Sequence, residues 1–426
     1  MCEMSNYFPL SNYKLLELVE KYGTPFYLYD EKAIVENIKS FQKAFSIFPN
    51  FKEYFAVKAL PNPFIMKILK KTGCGFDCSK LAELILCEKI DAKNDNVIFT
   101  SNDTPANEFQ YAYKNNNIIN LDDITHIQFL KDALGGKLPD TICFRYNPGP
   151  LKIGGNSIIG EPEEAKFGLT YKQILQAYEI SKKEGVKHFG LHTMVASNEL
   201  NKDFFIDSAK LIFDLAVDIK KRLNIDVEFI DLGGGIGIPY KPYEKPVDIS
   251  CIASGIKKLY DDILVTAGLK SVAICWECGR YITGPYGYLI TKAIHEKHTY
   301  KEYIGVDASM ADLMRPGMYG AYHEITISGK KDKLADRIYD IVGPLCENND
   351  KFAISRKMPK IDINDILIIH DAGAHSRAMG FNYNGTLRCG EVLLREDGTD
   401  IEIRRKETIE DYFCTLDFDK LKNFDM

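Results

Sequence analysis

The sequence lacks several features that would place a protein in a class at once. None of its apolar runs approaches the roughly 18 residues of a membrane span, and Met1–Leu10 contains no secretory signal. It has no low-complexity tract and no short repeat. It also lacks a basic excess, since 54 Lys and Arg stand against 60 Asp and Glu, which disfavours a nucleic-acid binder. We therefore expect a cytoplasmic protein with neither a nucleic-acid nor a membrane partner.

The eleven cysteines are an odd number and are scattered along the chain. Without a signal peptide, we expect reduced thiols rather than a disulfide framework. The pairs Cys74/Cys78 and Cys275/Cys278 also resemble zinc half-sites. However, Cys275 lies in the apolar run Val272–Trp276, where neighbouring strand residues point to opposite faces. We therefore predict no metal site.

The 426 residues, 45% hydrophobic and 27% charged, have an ordinary globular composition and allow two or three domains. A strand-then-helix alternation recurs over about 240 residues and fits one closed (β/α)₈ TIM barrel, the α/β class. An open doubly wound sheet also holds eight strands, so periodicity alone does not decide. The predicted strands are Glu53–Val57, Gly75–Cys78, Val97–Thr100, Ile118–Leu121, Ile142–Tyr146, His188–Val195, Val227–Leu232 and Val272–Trp276.

After Arg280 the pattern changes to strand-like segments with few helices between them. This predicts a second, mostly antiparallel β domain. The segment Pro25–Tyr29, ahead of the helical pattern Glu31–Phe45, is expected to belong to that domain. We therefore predict a barrel over residues 30–285 and a β domain made of residues 1–29 and 286–426.

The connection Asn147–Gly168 is rich in Gly and Pro and has no periodic pattern. It exceeds the usual length of a structureless loop. If it follows the fifth barrel strand, it leaves from the face where active sites of such barrels lie. A plain surface insertion is the equally weighted alternative.

Chemically active residues follow several of the predicted strands. Lys58 ends the first strand, where desolvation would lower its pKa and free the amine to attack a carbonyl. Gly233–Gly235 follow the seventh strand and would let backbone N–H groups approach a phosphate. Glu277 and Arg280 follow the eighth. Each feature also has an ordinary structural interpretation: a lysine that reaches solvent, a tight turn and an ion pair.

The sixth strand carries His192, Met194 and Ser197, for which core packing is the alternative. Together, the lysine, the glycine loop and the carboxylate at one rim are what pyridoxal 5′-phosphate requires: an amine, phosphate donors and an anion for the pyridine nitrogen.

The combination resembles the alanine-racemase/ornithine-decarboxylase fold type of pyridoxal-phosphate enzymes, and within it the diaminopimelate decarboxylases. The resemblance runs from about Pro25 to Asp411 and is specific in the order of its motifs. The matching stretches are Tyr54–Ala59 (YFAVKA), Gly233–Gly235, Glu277–Arg280 (ECGR), Asp312–Tyr322 (DLMRPGMYGAY), Gly343–Asp350 (GPLCENND) and Asp371–Asn384 (DAGAHSRAMGFNYN).

The resemblance implies a role for each matching residue. Lys58 would hold the cofactor covalently, Glu277 would face its pyridine nitrogen, and Cys346, supplied by the partner subunit, would donate the proton. The protein would then be a homodimer with shared active sites, to which the β domain contributes. The other cofactor contacts would be Asp77, His192, Met194, Ser197, Gly234, Gly235, Gly279, Arg280 and Tyr383. The substrate contacts would be Arg280, Arg315, Tyr319, Glu347 and Tyr383.

The chain departs from the family pattern at several positions. The family's ring-stacking histidine, the second in H-x-H-I-G-S-Q, is replaced by Met194, which packs on a ring but carries no charge. The usual EPGR is ECGR here, with Cys278 for proline, and the usual CES is CEN, with Asn348. These departures bear on cofactor stacking more than on the class of reaction.

Charge complementarity indicates the substrate. The far end of meso-2,6-diaminopimelate carries a carboxylate for Arg280 and Arg315 and an ammonium for Glu347. The resemblance therefore implies decarboxylation of this small-molecule amino acid to L-lysine, the last step of lysine biosynthesis. The alternatives are a carboxynorspermidine or D-/L-basic amino acid decarboxylase and, in another class, an inactive regulatory homologue. The presence of both Lys58 and Cys346 argues against the last.

Overall fold

The computed structural model describes residues 7–151, 161–422 and 424. The described chain forms two compact units. One contains the residues up to 31, residues 240–242 and those from 286 onward, and we call it the sheet unit. The other contains residues 32–239 and 243–285, and we call it the barrel unit. No helix among the described residues is both long and apolar enough to cross a membrane.

The secondary structure is numbered along the chain. The strands are β1 (Phe26–Asp30), β2 (Lys52–Ala56), β3 (Gly75–Cys78), β4 (Val97–Ser101), β5 (Ile118–Leu121), β6 (Thr141–Tyr146), β7 (His188–Thr193), β8 (Phe229–Asp231), β9 (Ala273–Trp276), β10 (Gly287–His298), β11 (Glu302–Val306), β12 (Ile325–Ile327), β13 (Arg337–Val342), β14 (Lys351–Met358), β15 (Ile366–Ile369), β16 (Gly390–Leu394) and β17 (Asp400–Arg404). The α-helices are α1 (Asn12–Tyr22), α2 (Glu31–Phe45), α3 (Pro63–Lys71), α4 (Leu81–Lys89), α5 (Ala106–Lys114), α6 (His126–Ala133), α7 (Tyr171–Lys183), α8 (Lys202–Leu223), α9 (Ile249–Leu259), α10 (Arg280–Thr283), α11 (Arg315–Tyr319), α12 (Ile409–Phe413) and α13 (Phe418–Leu421).

Strands β2 to β9 close into an eight-stranded parallel barrel, which confirms the TIM-barrel prediction. Its lumen alternates large side chains with glycines. A Cβ on Gly190 of β7 would lie only 2.0 Å from the ring of Phe229 on β8. A Cβ on Gly75 of β3 would lie 2.5 Å from the ring of Tyr54 on β2. The two glycines therefore make room for rings that fill the barrel.

The sheet unit is built on a nine-stranded mixed sheet of the order β14-β13-β11-β10-β1-β16-β17, with β12 and β15 off this path. Most neighbours are antiparallel, and β1–β16 and β11–β13 are parallel pairs. The early strand β1 lies between β10 and β16, which confirms that the segment Pro25–Tyr29 belongs with the later strands. Its side chains pack with Leu15 and Leu18 of α1 in the core of this sheet.

Several elements differ from the sequence prediction. The sequence predicts one helix over Ile249–Ala267, whereas the structure has α9 followed by a wider π-helical segment, Tyr260–Val265. The helices α1, α5 and α10 to α13 and the strands β14 and β17 were missed. In β14 the polar residues Ser355–Lys357 interrupt the apolar pattern on which strand prediction relies. Strand β17 (DIEIR) alternates apolar and polar residues and offered a usable signal. Of the long connection Asn147–Gly168, residues 152–160 lie outside the described residues.

Candidate active site

Lys58 lies in a single 3₁₀ turn, Val57–Ala59, directly after β2. Its Nζ is 3.7 Å from Oδ2 of Asp77, near the end of β3, and its side chain remains half exposed. Burial lowers the pKa of Lys58, but the carboxylates of Asp77 and Glu277 outweigh burial, and the net pKa is raised. The predicted lowering by desolvation is therefore wrong, because the sequence did not indicate how many carboxylates surround the amine.

Glu277 follows β9 and is buried. Its Oε2 is 3.2 Å from Nε2 of His192, near the end of β7. Burial raises the pKa of Glu277, but the charge and hydrogen bond of His192, together with the charges of Lys58 and Arg145, lower it below its usual value. The opposite holds for Asp77 and Asp231, where burial and the charge of Glu277 raise the pKa well above its usual value. Among these carboxylates, Glu277 is the one that the surroundings keep ionised.

The glycine loop follows β8 and lies against the ends of neighbouring strands. A Cβ on Gly234 would lie 2.3 Å from the carbonyl oxygen of Glu277, and one on Gly235 would lie 2.4 Å from that of Ala196. The N–H of Gly234 donates to Sδ of Met194, at 3.0 Å. In the structure, this N–H is therefore bonded to the residue that replaces the family's histidine. The sequence had assigned it to a phosphate.

Arg145, on β6, is a buried rim residue that sequence reasoning missed. Its Nη1 is 3.3 Å from Oδ1 of Asp122, and its Nη2 donates to the carbonyl oxygen of Met194. The guanidinium also lies over the ring of Phe167, 4.5 Å from its centre. The sequence could have indicated this residue. An arginine inside an apolar strand is expected to be buried, and a buried charge normally has a partner.

One departure from the family pattern takes part in a buried hydrogen bond. The backbone N–H of Cys278, the residue that replaces proline, donates to Oε1 of Glu53 on β2 at 2.7 Å. Burial raises the pKa of Glu53 well above its usual value, which favours the neutral acid. A proline at 278 would offer no N–H to this carboxyl group. Glu53 therefore anchors the loop that carries Glu277.

The remaining predicted barrel residues also lie near strand ends. Gly279 approaches the turn of Lys58 closely, since a Cβ there would lie 2.6 Å from Cβ of Ala59. Arg280 is buried at the start of α10. Ser197 lies beyond β7 and is partly exposed.

The sheet unit carries the other predicted residues. Arg315 and Tyr319 begin and end α11; Arg315 is buried and Tyr319 is 37% exposed. Cys346 is exposed, and its backbone N–H donates to Oδ1 of Asn384, next to the exposed Tyr383. The partly exposed Glu347 accepts from the N–H of Asn349.

A buried aspartate that the sequence analysis did not single out organises the loop of Cys346. The carboxylate of Asp350 accepts from the N–H groups of Leu345 and Met310, at 2.9 and 2.6 Å. A Cβ on Gly343 would lie 2.3 Å from this carboxylate, and one on Gly317 of α11 would lie 2.5 Å from the carbonyl oxygen of Asn349. The motifs of Arg315 and Cys346, separate in sequence, are thus packed together.

Comparison with known proteins agrees with this geometry. Residues 31–284 match the family model described as pyridoxal-dependent decarboxylase, pyridoxal binding domain. The chain belongs to the pyridoxal-dependent decarboxylase family. It is 39% identical to the protein TabA of Pseudomonas amygdali pv. tabaci over 95% of this chain and 93% of that one. It is 34% identical to diaminopimelate decarboxylase of Methanothermobacter thermautotrophicus, over 93% and 92% of the two chains. The structure of M. jannaschii diaminopimelate decarboxylase in complex with L-lysine matches with a TM-score of 0.87 at 29% identity, covering 95% and 94% of the chains.

The rim residues of this family member fit pyridoxal phosphate. Buried Asp77 Oδ1, Glu277 Oε1 and His192 Nδ1 have no hydrogen-bond partner among the described residues. Buried polar atoms normally find partners, so these atoms indicate a polar ligand. Ligand atoms of His192, Asp231 and Glu277 also lie within 4.8 Å of one another, as in a metal site. We assign this cluster to the cofactor, since an ionised Glu277 suits a protonated pyridine nitrogen.

The hydrogen bond between Glu53 and Cys278 predicts coupled stabilities. Glu53→Val leaves a buried N–H unsatisfied, and Cys278→Pro leaves a buried carboxyl group without its donor, each at about 1–3 kcal/mol. We expect the double variant to be more stable than the sum of the two losses predicts, by roughly 1 kcal/mol or more. The measurement is the change in free energy of unfolding for the four proteins. Glu53→Gln, which keeps a neutral acceptor, is the control and should change little; strictly additive losses would contradict the coupling.

Proposed function

We propose that this protein catalyses the pyridoxal-phosphate-dependent decarboxylation of meso-2,6-diaminopimelate to L-lysine. The observation that carries the proposal is the amine of Lys58 beside the buried carboxylates of Asp77 and Glu277 at the rim of the barrel. The extended similarity to diaminopimelate decarboxylases supports the choice of substrate.

The rim residues divide the work by charge. When bound, pyridoxal phosphate supplies the electron sink for the bond to the departing carboxylate. Lys58 supplies the amine that binds the cofactor. The carboxyl group of Asp77 lies 3.7 Å from that amine and can act there as an anion or as a proton donor. Glu277, kept ionised by His192, stabilises a positive charge on the pyridine nitrogen. The N–H of Gly234 is available to a phosphate, since thioether sulfur is a weak acceptor that a phosphate oxygen readily replaces.

The sheet unit supplies the remaining roles in this proposal. Arg315 is assigned to the distal carboxylate of the substrate, as Arg280 is, and Glu347 to the distal ammonium. Cys346 returns a proton to the carbon that CO₂ leaves. A thiol suits this step because its reference pKa of about 8.5 lies near working pH.

We also propose a homodimer with shared active sites, in which Cys346 serves the site of the partner subunit. The exposure of Cys346 supports this assignment, because a proton donor for another chain must reach the surface of its own. The domains we propose are the barrel over 30–285 and the β domain over 1–29 and 286–426, and the proposed location is the cytoplasm.

The proposed function predicts a substrate preference. We expect CO₂ release from meso-diaminopimelate to exceed that from lysine, ornithine and carboxynorspermidine by at least 100-fold in kcat/KM. The reason is that substrates without the distal carboxylate lose charge-assisted hydrogen bonds to a buried arginine, each of which contributes about 1.5–3 kcal/mol. The measurement is a side-by-side CO₂ assay of the holoenzyme.

The control for this assay is Lys58→Ala, which should lose both turnover and the cofactor's absorbance band near the visible edge. Turnover of Lys58→Ala above a trace would reject the assignment of the amine. Faster turnover of any other substrate in the panel would leave the class of reaction intact and reject the substrate.

The shared site predicts complementation between inactive variants. Lys58→Ala and Cys346→Ala should each be nearly inactive as homodimers. When their subunits exchange, about half of the dimers are hybrids, and one site in each hybrid has both residues intact. Activity should then recover to roughly a quarter of the wild-type value. Absence of recovery, with exchange shown by differently tagged subunits, would rule out sharing of these two residues.

A further inference from the structure

Arg315 is held by two side chains of the sheet unit that the sequence analysis did not single out. Its Nη1 donates to the hydroxyl of Tyr240 at 2.6 Å and to Nε2 of His323 at 3.2 Å. Its guanidinium carbon lies 4.6 Å from the centre of the Tyr240 ring, and this ring meets that of His323 edge to face, at 5.1 Å. All three side chains are buried. Two hydrogen bonds to Nη1 and the ring of Tyr240 against the guanidinium face therefore hold this flexible side chain in place.

The hydrogen bonds also assign the protonation of His323. Its Nδ1 lies 2.8 Å from the carbonyl oxygen of His370, which only accepts, so Nδ1 carries the hydrogen. Its Nε2 faces Nη1 of Arg315, which only donates, so Nε2 must carry the lone pair. His323 is therefore a neutral imidazole. Like the hydroxyl of Tyr240, it holds the guanidinium without cancelling its charge.

We infer that Tyr240 and His323 are positioning residues that aim Arg315 at the distal carboxylate of the substrate and so determine specificity for it; this inference rests on the proposed function. Both N–H groups of Nη1 are used by the two acceptors. The two acceptors therefore set the direction in which the guanidinium faces. Losing one acceptor lets the guanidinium turn, which weakens binding of a carboxylate more than binding of an amine.

The test compares binding of L-lysine, the product, with binding of cadaverine. The carboxylate of L-lysine is the distal carboxylate of meso-diaminopimelate, and cadaverine lacks it. Tyr240→Phe keeps the aromatic ring and removes the hydroxyl that accepts from Arg315. The matched control is Tyr322→Phe, which removes the hydroxyl of the residue before His323, where it bonds to Glu324. In the holoenzyme, we expect Tyr240→Phe to raise the KM for meso-diaminopimelate and the Kd for L-lysine on the order of tenfold, as for the loss of a hydrogen bond to a charged group. The Kd for cadaverine, measured by the same calorimetry, should change less than twofold, and kcat should change less than KM.

His323 provides a second pair of variants. His323→Leu should weaken L-lysine at least as much as Tyr240→Phe does, and His323→Gln, which restores an acceptor facing Arg315, should recover part of the loss. Cofactor absorbance and thermal midpoint identify a variant that has not folded. If His323→Leu does not fold, Tyr240→Phe alone decides the inference.

The outcomes separate this inference from the proposed function. If Arg315→Lys leaves the KM for meso-diaminopimelate and the Kd for L-lysine unchanged, the assignment of Arg315 in the proposed function fails. If Arg315→Lys weakens both but Tyr240→Phe weakens neither, only the positioning role fails. If Tyr240→Phe weakens cadaverine as much as L-lysine, its role is structural and the inference is overturned.

Discussion

The proposed chemistry depends on how one buried cluster distributes charge. The rim of the barrel brings the amine of Lys58 together with the carboxylates of Asp77, Asp231 and Glu277. Burial opposes ionisation of every carboxylate there, and mutual repulsion adds to this effect. Only Glu277 has enough positive neighbours to overcome both, so the pKa values of the three carboxylates move in opposite directions. Such divergence marks which group serves as an anion and which as a proton carrier.

The sequence predicted the site residues that lie in single motifs. It missed the contacts between residues that are far apart in sequence. Lys58 and Glu277 were found because each directly follows an apolar strand. The pairing of Glu277 with His192 spans 85 residues, and no local pattern indicates a contact at that distance. The alternation of strands and helices could be predicted because each unit is visible in a short stretch of sequence. Its closure into a barrel was implied by the family resemblance, since an open sheet fits the same alternation. The strand β14 was missed because polar residues interrupt its apolar pattern, whereas β17 alternates regularly and offered a usable signal.

The departures from the family pattern are connected to their surroundings. Met194 replaces a histidine, and its sulfur accepts a hydrogen bond from Gly234. Cys278 replaces a proline, and the N–H that it introduces is bonded to Glu53. In each case the new side chain or backbone group has a partner. These two substituted positions in the barrel unit therefore each have a hydrogen-bond partner, while Lys58 and Glu277 are retained.

The barrel rim and the surroundings of Arg315 constrain their charged groups in different ways. The barrel rim fixes charge by placing charged groups beside one another, so its properties depend on protonation. The environment of Arg315 instead fixes direction, because Tyr240 and His323 accept hydrogen bonds as neutral groups. A carboxylate in either position would hold the guanidinium more strongly but would also offset its attraction for a substrate anion. Because these two acceptors are neutral, they direct the guanidinium without adding a negative charge of their own, which suits a residue that selects a substrate.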